Sequence, residues 1–229
     1  PTGTPSITGT VTENQTLTAD TSAIADVDGL GPFSYQWIRD GVDIGGATGS
    51  TYTLGDADVG AAISARVSYT DAQGTAEAVT STATAAVANV NDTPTGTPSI
   101  TGTVTENQTL TADTSGIADA DGLGAFSYQW YRNTGGGPVA IAGATASTYT
   151  LGDADVGATM TVAVSYTDAQ GTAEGPLTSA ATAAIANVND TPTGTPSITG
   201  TVTENQTLTA DTSGIADADG LGAFSYQWY

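Results

Sequence analysis

The chain has 229 residues, 38% of them hydrophobic, which is enough to bury a core. It carries 24 Asp and Glu against 3 Lys and Arg, for a net charge of -21, with no histidine and no cysteine. That balance argues against nucleic acid or anionic membrane as partners, since each requires cationic side chains to neutralise phosphate. The absence of His, Cys and Lys excludes Ser-His-Asp triads, thiolate nucleophiles, Schiff-base lysines and Cys/His zinc sites. What remains is paired carboxylates for acid-base chemistry and oxygen-ligated hard cations for metals.

In chain order, the pattern is period two bounded by turn residues, with no helical period. A first strand is expected around Ile7, and a second begins at Leu17 and Ala19 after the turn "TENQ". Phe33, Tyr35 and Trp37 alternate with Ser34 and Gln36 in an aromatic strand, and a short edge follows around Val42 and Ile44. Tyr52 and Leu54 make another short strand. Ile63, Ala65, Val67 and Tyr69 alternate with Ser64, Arg66, Ser68 and Thr70, which places Arg66 on a solvated face. Ala83, Ala85 and Val87 are expected to form a small-residue strand before the linker "ANVNDTPTG". This gives about seven short strands, the spacing of a β-sandwich.

The whole pattern then repeats. "PTGTPSITGTVTENQTLTADTS" begins at Pro1, again at Pro94 and again at Pro192. Copies two and three are identical through Tyr131 and Tyr229, whereas copy one differs from them at Ala23, Val27, Pro32 and Ile38. Copy two is lengthened by "NTGGGPVAIAG" and by "AEGPLTS" in place of "AEAVTS", both expected in surface loops. The expected domains are residues 1–92, 93–190 and a partial repeat at 191–229 holding the first three strands.

"FSYQW" followed by "STYTL", "DADVG" and "VSYTD" resembles the C, E and F strands of an immunoglobulin-like domain, with the core Trp on strand C. The linker resembles those of tandem immunoglobulin-like or cadherin-like repeats in large bacterial surface adhesins, including biofilm adhesins of the RTX type. The resemblance implies an all-β chain of tandem immunoglobulin-like β-sandwich domains without a disulfide. The antibody cysteine pair and the glycine-rich calcium nonapeptide of RTX segments are both missing from it. It therefore implies a stalk and does not identify a binding tip.

Three acidic patterns recur. "IADVDG" places Asp26 and Asp28 on a turn whose glycine permits a positive φ; Asp119 and Asp121 repeat it, as do Asp217 and Asp219. That geometry suits Ca²⁺, and an Asp-Gly turn between strands explains it equally well. In the linker, Asn89, Asn91 and Asp92 recur as Asn187, Asn189 and Asp190. Cadherin-type linkers bind calcium through such oxygens, joined by an acidic turn such as Glu13 or by an Asp-x-Asp. By that resemblance, Asn91 and Asp92 would act with Glu106, and Asn189 and Asp190 with Glu204. "GDADVG", with Asp56 and Asp58 and then Asp153 and Asp155, reads as a structural corner. "NQT" at Asn14, Asn107 and Asn205 fits a glycosylation acceptor, and it also fits an Asn in a left-handed turn. Trp37 and Trp130 read as core residues.

Near-identical repeats supply length and no reaction, so the expectation is a non-catalytic extracellular extender of a bacterial surface adhesin. Calcium is its expected cofactor and neighbouring repeats its partners, with no nucleic acid and no membrane insertion. Self-association into filaments is a second expectation, and a spacer or carbohydrate-binding module of a secreted enzyme a third.

Overall fold

A computed structural model describes residues 1–229. It comprises two compact units. The first contains Pro1–Thr93 with the short segments Asp119–Leu123 and Asp168–Thr172; the second contains Pro94–Ala118, Gly124–Thr167 and Ala173–Tyr229. No helix is long and apolar enough to cross a membrane.

In the first unit the strands are β1 (Ser6–Thr8), β2 (Thr16–Asp20), β3 (Ser34–Arg39), β4 (Val42–Asp43), β5 (Thr51–Thr53), β6 (Ile63–Thr70) and β7 (Ala76–Thr80). They form two antiparallel sheets, β1-β2-β5 and β4-β3-β6-β7. The inward faces meet at Leu17 and Ala19 from one sheet and Trp37, Ile63 and Ala65 from the other, all buried. Period-two alternation therefore becomes a two-layer core, each large side chain contributing about 1.5–3 kcal/mol of burial. Arg66 lies on the outer face, as its parity requires.

The second unit repeats the plan with β8 (Ser99–Thr101), β9 (Thr109–Asp113), β10 (Ser127–Asn133), β11 (Val139–Ala140), β12 (Thr148–Thr150), β13 (Thr159–Thr167) and β14 (Ala173–Thr178). Its sheets are β12-β9-β8 and β11-β10-β13-β14, packed over Leu110, Trp130, Leu151, Met160, Val162 and Val164. This is an all-β, immunoglobulin-like sandwich with no cysteine. The unit also holds a two-stranded sheet of β15 (Ser197–Thr199) and β16 (Thr209–Asp211).

The tryptophan of each complete copy is locked in the core. Trp37 Nε1 donates to the Gly49 carbonyl and Trp130 Nε1 to that of Ala146, both at 2.9 Å. Their rings stack on Tyr52 and Tyr149 at 5.7 and 5.8 Å. The "DADVG" corner is a single 3-10 turn over Asp56–Asp58, repeated at Asp153–Asp155. Buried Asp58 accepts hydrogen bonds from Arg39 Nε (2.7 Å), the Tyr52 hydroxyl (2.9 Å) and the Gly55 N–H (3.0 Å). Asp155 takes the same three partners in Arg132, Tyr149 and Gly152. The corner is thus a structural clamp between two strands and a turn. Asn14, Asn107 and Asn205 adopt left-handed φ of 62, 62 and 63°, the turn expected of them.

Two elements differ from the sequence-based expectation. The seventh strand is β7, and the segment through Ala83, Ala85 and Val87 forms no strand. Its backbone bonds are divided among separate partners: Ala86 bridges Ala62, Val87 bridges Val59 and Ala88 bridges Thr12, so no continuous ladder forms. In the third copy only β15 and β16 form, and residues 223–229 are not a strand. In the complete copies this segment pairs with β6 or β13.

Candidate functional site

Glu13 sits in the turn before β2, held by its own N–H bonding to the Ala88 carbonyl (2.9 Å) while the Asn14 N–H bonds to that of Leu54 (3.0 Å). With Asn14 at positive φ, the turn tucks the Glu13 side chain completely out of solvent. One carboxylate oxygen from each of Glu13, Asp92 and Asp121 lies within 4.8 Å of the others, all inside the first unit. Two backbone bonds fix the arrangement. The Val90 N–H donates to Glu13 Oε2 at 3.1 Å, and the Asp92 N–H donates to Asp121 Oδ2 at 2.7 Å.

The remaining oxygens have nothing to accept. Glu13 Oε1, Asp92 Oδ2 and Asn89 Oδ1 are buried without a hydrogen-bond partner. Unsatisfied buried acceptors are costly, and anionic ones more so. No arginine relieves them: Arg39 and Arg132 are bound to Asp58 and Asp155, and Arg66 to Asp43. The bond from Val90 favours the ionised form of Glu13, yet burial, the neighbouring Asp56 carboxyl and the charge of Asp92 together raise its pKa above the usual glutamate value. Burial, then the charges of Asp56, Asp121 and Asp119, likewise raises Asp92. An oxygen-only, anionic, partly desolvated set of this kind fits a hard cation such as Ca²⁺.

The second unit contains the same construction. Glu106, also fully buried, groups with Asp190 and Asp219; Val188 N–H donates to Glu106 Oε2 (3.1 Å) and Asp190 N–H to Asp219 Oδ2 (2.7 Å). Glu106 Oε1 is again buried and unpartnered. Against the Val188 bond, the neighbouring Asp153 carboxyl, burial and the charge of Asp190 raise the Glu106 pKa. Asp153, Asp219 and Asn187 line an adjoining cleft of about 320 Å³.

A further carboxylate set in the first unit joins Asp26, Asp71 and Glu77. The Tyr69 hydroxyl donates to Asp26 Oδ2 at 2.6 Å, and this bond leads in holding the Asp26 pKa below the usual range. Burial first, then the bond to Asp26 and its charge, pushes Tyr69 up to about 12. Asp71 Oδ1 accepts from the N–H groups of Gln73 (2.9 Å) and Thr75 (2.8 Å), closing its own turn.

The sequence-derived residues fall into place unevenly. Asp92 and Asp121 meet in one group and Asp190 joins the other, while Asp26 lies in the third. Asp28 is exposed and outside all of them, and its N–H donates to Asp26 Oδ1 (3.0 Å). Asp119 plays the equivalent part, accepting from the Asp121 N–H (3.0 Å). The Asn91 and Asn189 side-chain amides donate to the carbonyls of Asp92 (3.2 Å) and Asp190 (2.8 Å). Asp92 stands with Glu13 and not with Glu106; Glu106 serves Asp190, and exposed Glu204 belongs to neither group. The acid comes from the turn that opens the repeat preceding each linker, because the bridge from Thr12 to Ala88 returns the end of a repeat to its own beginning. Asp71 and Glu77 lie outside the expected residues, while Glu13 and Asp219, both recognised in the sequence, join Asp92 and Asp190 in pairings that were not expected.

No protein-family model matches the chain, and neither does any curated protein. Among solved structures, the crystal structure of chicken CNTN1 FN1-FN3 domains is similar over 91% of this chain and 75% of that one, with 14% identity and a TM-score of 0.34.

Proposed function

We propose that this chain is part of an extracellular spacer, the extender of a bacterial surface adhesin, in which calcium fixes the linker of each repeat. The β-sandwich repeats fit a structural spacer role. The observation that carries the calcium reading is the pair of matching groups, Glu13–Asp92–Asp121 and Glu106–Asp190–Asp219, each with a fully buried, unpartnered glutamate oxygen.

In this reading Glu13 and Asp92 hold the cation through the oxygens that lack donors, and Asp121 completes the set while orienting the Asp92 backbone. Asp56 adds charge beside Glu13 and Asp92. A bound divalent cation would offset the mutual repulsion of these carboxylates and restrain Val90–Asp92, turning a loose linker into a fixed one. The acidic surface, with net charge -21, favours a soluble, extended array.

The test is calcium titration of chelated chain, followed by calorimetry and thermal unfolding. Cation binding to the folded state raises its unfolding temperature in a concentration-dependent way. Identical melting curves in EGTA and in millimolar calcium would overturn the calcium reading.

A further inference from the structure

The outer face of the sheet β11-β10-β13-β14 carries a cleft of about 710 Å³, within the size range of small-molecule sites. Tyr131 and Gln129 from β10, Ala163 and Ser165 from β13, and Glu174 and Pro176 from β14 line it. We propose that this cleft binds a neutral saccharide, with the Tyr131 side chain as its apolar platform. This is independent of the calcium reading.

The first argument is internal to the chain. On the equivalent face of the first unit, Arg66 pairs with Gln36 and Asp43 with Ile38 in the strand register, and Arg66 Nη2 meets Asp43 Oδ2 at 2.6 Å. In the second unit the same register positions hold Ala163 opposite Gln129 and Ala140 opposite Tyr131. Both members of the ion pair have been replaced by alanine, and the aliphatic Ile38 by an aromatic residue. The edge strand departs as well. The β13–β14 register shifts between Val164 and Tyr166, beside Gly175 and Pro176. Gly175 has φ 93°, and a Cβ there would stand 2.7 Å from the Val164 carbonyl oxygen, so this irregular edge is built around glycine. These differences reshape one face; the core beneath changes too, Met160 and Val162 standing where the first unit has Ile63 and Ala65, but it stays fully buried.

The second argument is the chemistry of the lining. It contains no cation and a single carboxylate, Glu174, on a chain of net charge -21, which disfavours an anionic ligand. The central strands β10 and β13 are paired on both sides, and the open edge of β14 is broken by the register shift and by Pro176, which has no N–H, so no continuous free ladder is offered to a peptide strand. Recognition must come from side chains. Gln129 spends its amide nitrogen on the Trp130 and Ile141 carbonyls, both at 2.8 Å, which leaves its oxygen as the group available to accept. With the Ser127 and Ser165 hydroxyls, this is a set of acceptors and small donors beside an aromatic side chain. A pyranose offers the complement, hydroxyls at its rim and C–H groups on its ring face.

The experiment is an NMR titration of the ¹⁵N-labelled 229-residue chain with maltotetraose, cellotetraose and mannotetraose, with tetragalacturonate as the acidic comparison. At least one neutral tetrasaccharide is expected to shift the amides of Gln129, Tyr131, Ala163 and Ser165 with a millimolar Kd. The double variant Ala140→Asp/Ala163→Arg installs the ion pair that the first unit already tolerates, and it should weaken binding by roughly tenfold or more. Tyr131→Ile should do the same, while Arg66→Ala should leave affinity unchanged. Unshifted amides with all three neutral sugars, a preference for tetragalacturonate, or undiminished binding by the folded double variant would each overturn the proposal.

Discussion

Val90 donates its backbone N–H to Glu13 Oε2 at 3.1 Å across 77 positions of sequence, joining the last residues of a repeat to its opening turn. Val188 and Glu106 make the same bond across 82 positions, so an insertion that lengthens the second repeat leaves it intact. The bond uses one glutamate oxygen and leaves the other buried without a donor.

Replacing both acids, Glu13→Gln with Glu106→Gln, keeps the acceptor for Val90 and Val188 and supplies an amide donor to neighbouring carboxylates. The chelated variant is expected to melt a few degrees above the chelated wild type, because a like charge has been removed from each group. In calcium the order should reverse, with the variant gaining much less stability. Parallel melting curves with and without calcium for the two proteins would contradict this assignment.

Asp58 is expected to matter for stability and not for cation binding. Asp58→Ala removes three hydrogen-bond partners at once and leaves the half-buried Arg39 unpaired, a loss of roughly 2–3 kcal/mol. Urea unfolding should show this, while calcium affinity by calorimetry stays close to wild type.

Gly124 is required by close approach: a Cβ there would lie 1.8 Å from the Thr167 carbonyl oxygen, and one at Gly31 would lie 2.1 Å from that of Thr70. Gly124→Ala must displace backbone, costing about 1–3 kcal/mol, whereas Gly136→Ala, in open space, should cost under about 1 kcal/mol. Denaturant midpoints of the two variants would separate them.

Acid sensitivity should include a contribution from Asp20 and Asp113. Each accepts the N–H two residues ahead at 2.9 Å, and that bond, aided by the Ser side chain, lowers its pKa. A depressed carboxyl pKa stabilises the fold above the usual aspartate value, and that contribution is lost as pH falls through the lowered one. Asp20→Asn with Asp113→Asn should flatten the fall in stability across that acidic window, measured by urea midpoints at successive pH values.

The long central strands were legible because Ile63, Ala65, Val67 and Tyr69 alternate without a break, and alternation is what a half-buried strand imposes. The segment around Ala83–Val87 alternates too, but its hydrogen bonds go to Ile63, Ala61 and Val11 in different elements, and local pattern cannot report that division. In the carboxylate groups, Asp92 and Asp121 stand out through Asn-Asp and Asp-x-Asp spacing. Glu13 is a single acid in a turn, and its membership depends on a closure that spans the repeat. The cleft beside Tyr131 was illegible for a related reason: Ala140 and Ala163 are unremarkable until the sheet register sets them opposite Tyr131 and Gln129.

The segment "FSYQW" depends on a strand that comes later in the chain. Trp37 lies opposite Ala65 and Trp130 opposite Val162, and both rings are 0% exposed. The burial of each aromatic strand therefore waits for the strand containing Ile63–Tyr69 or its counterpart, which is made later in each repeat. During synthesis, every repeat passes through a stage in which its largest side chains are uncovered and a neighbour of nearly the same sequence holds the matching strand. Exchange of that strand between adjacent copies is the misfolding route this architecture must outrun. Divergence between neighbours, such as Met160 for Ile63 and Val162 for Ala65, makes the exchanged core a poorer fit than the native one.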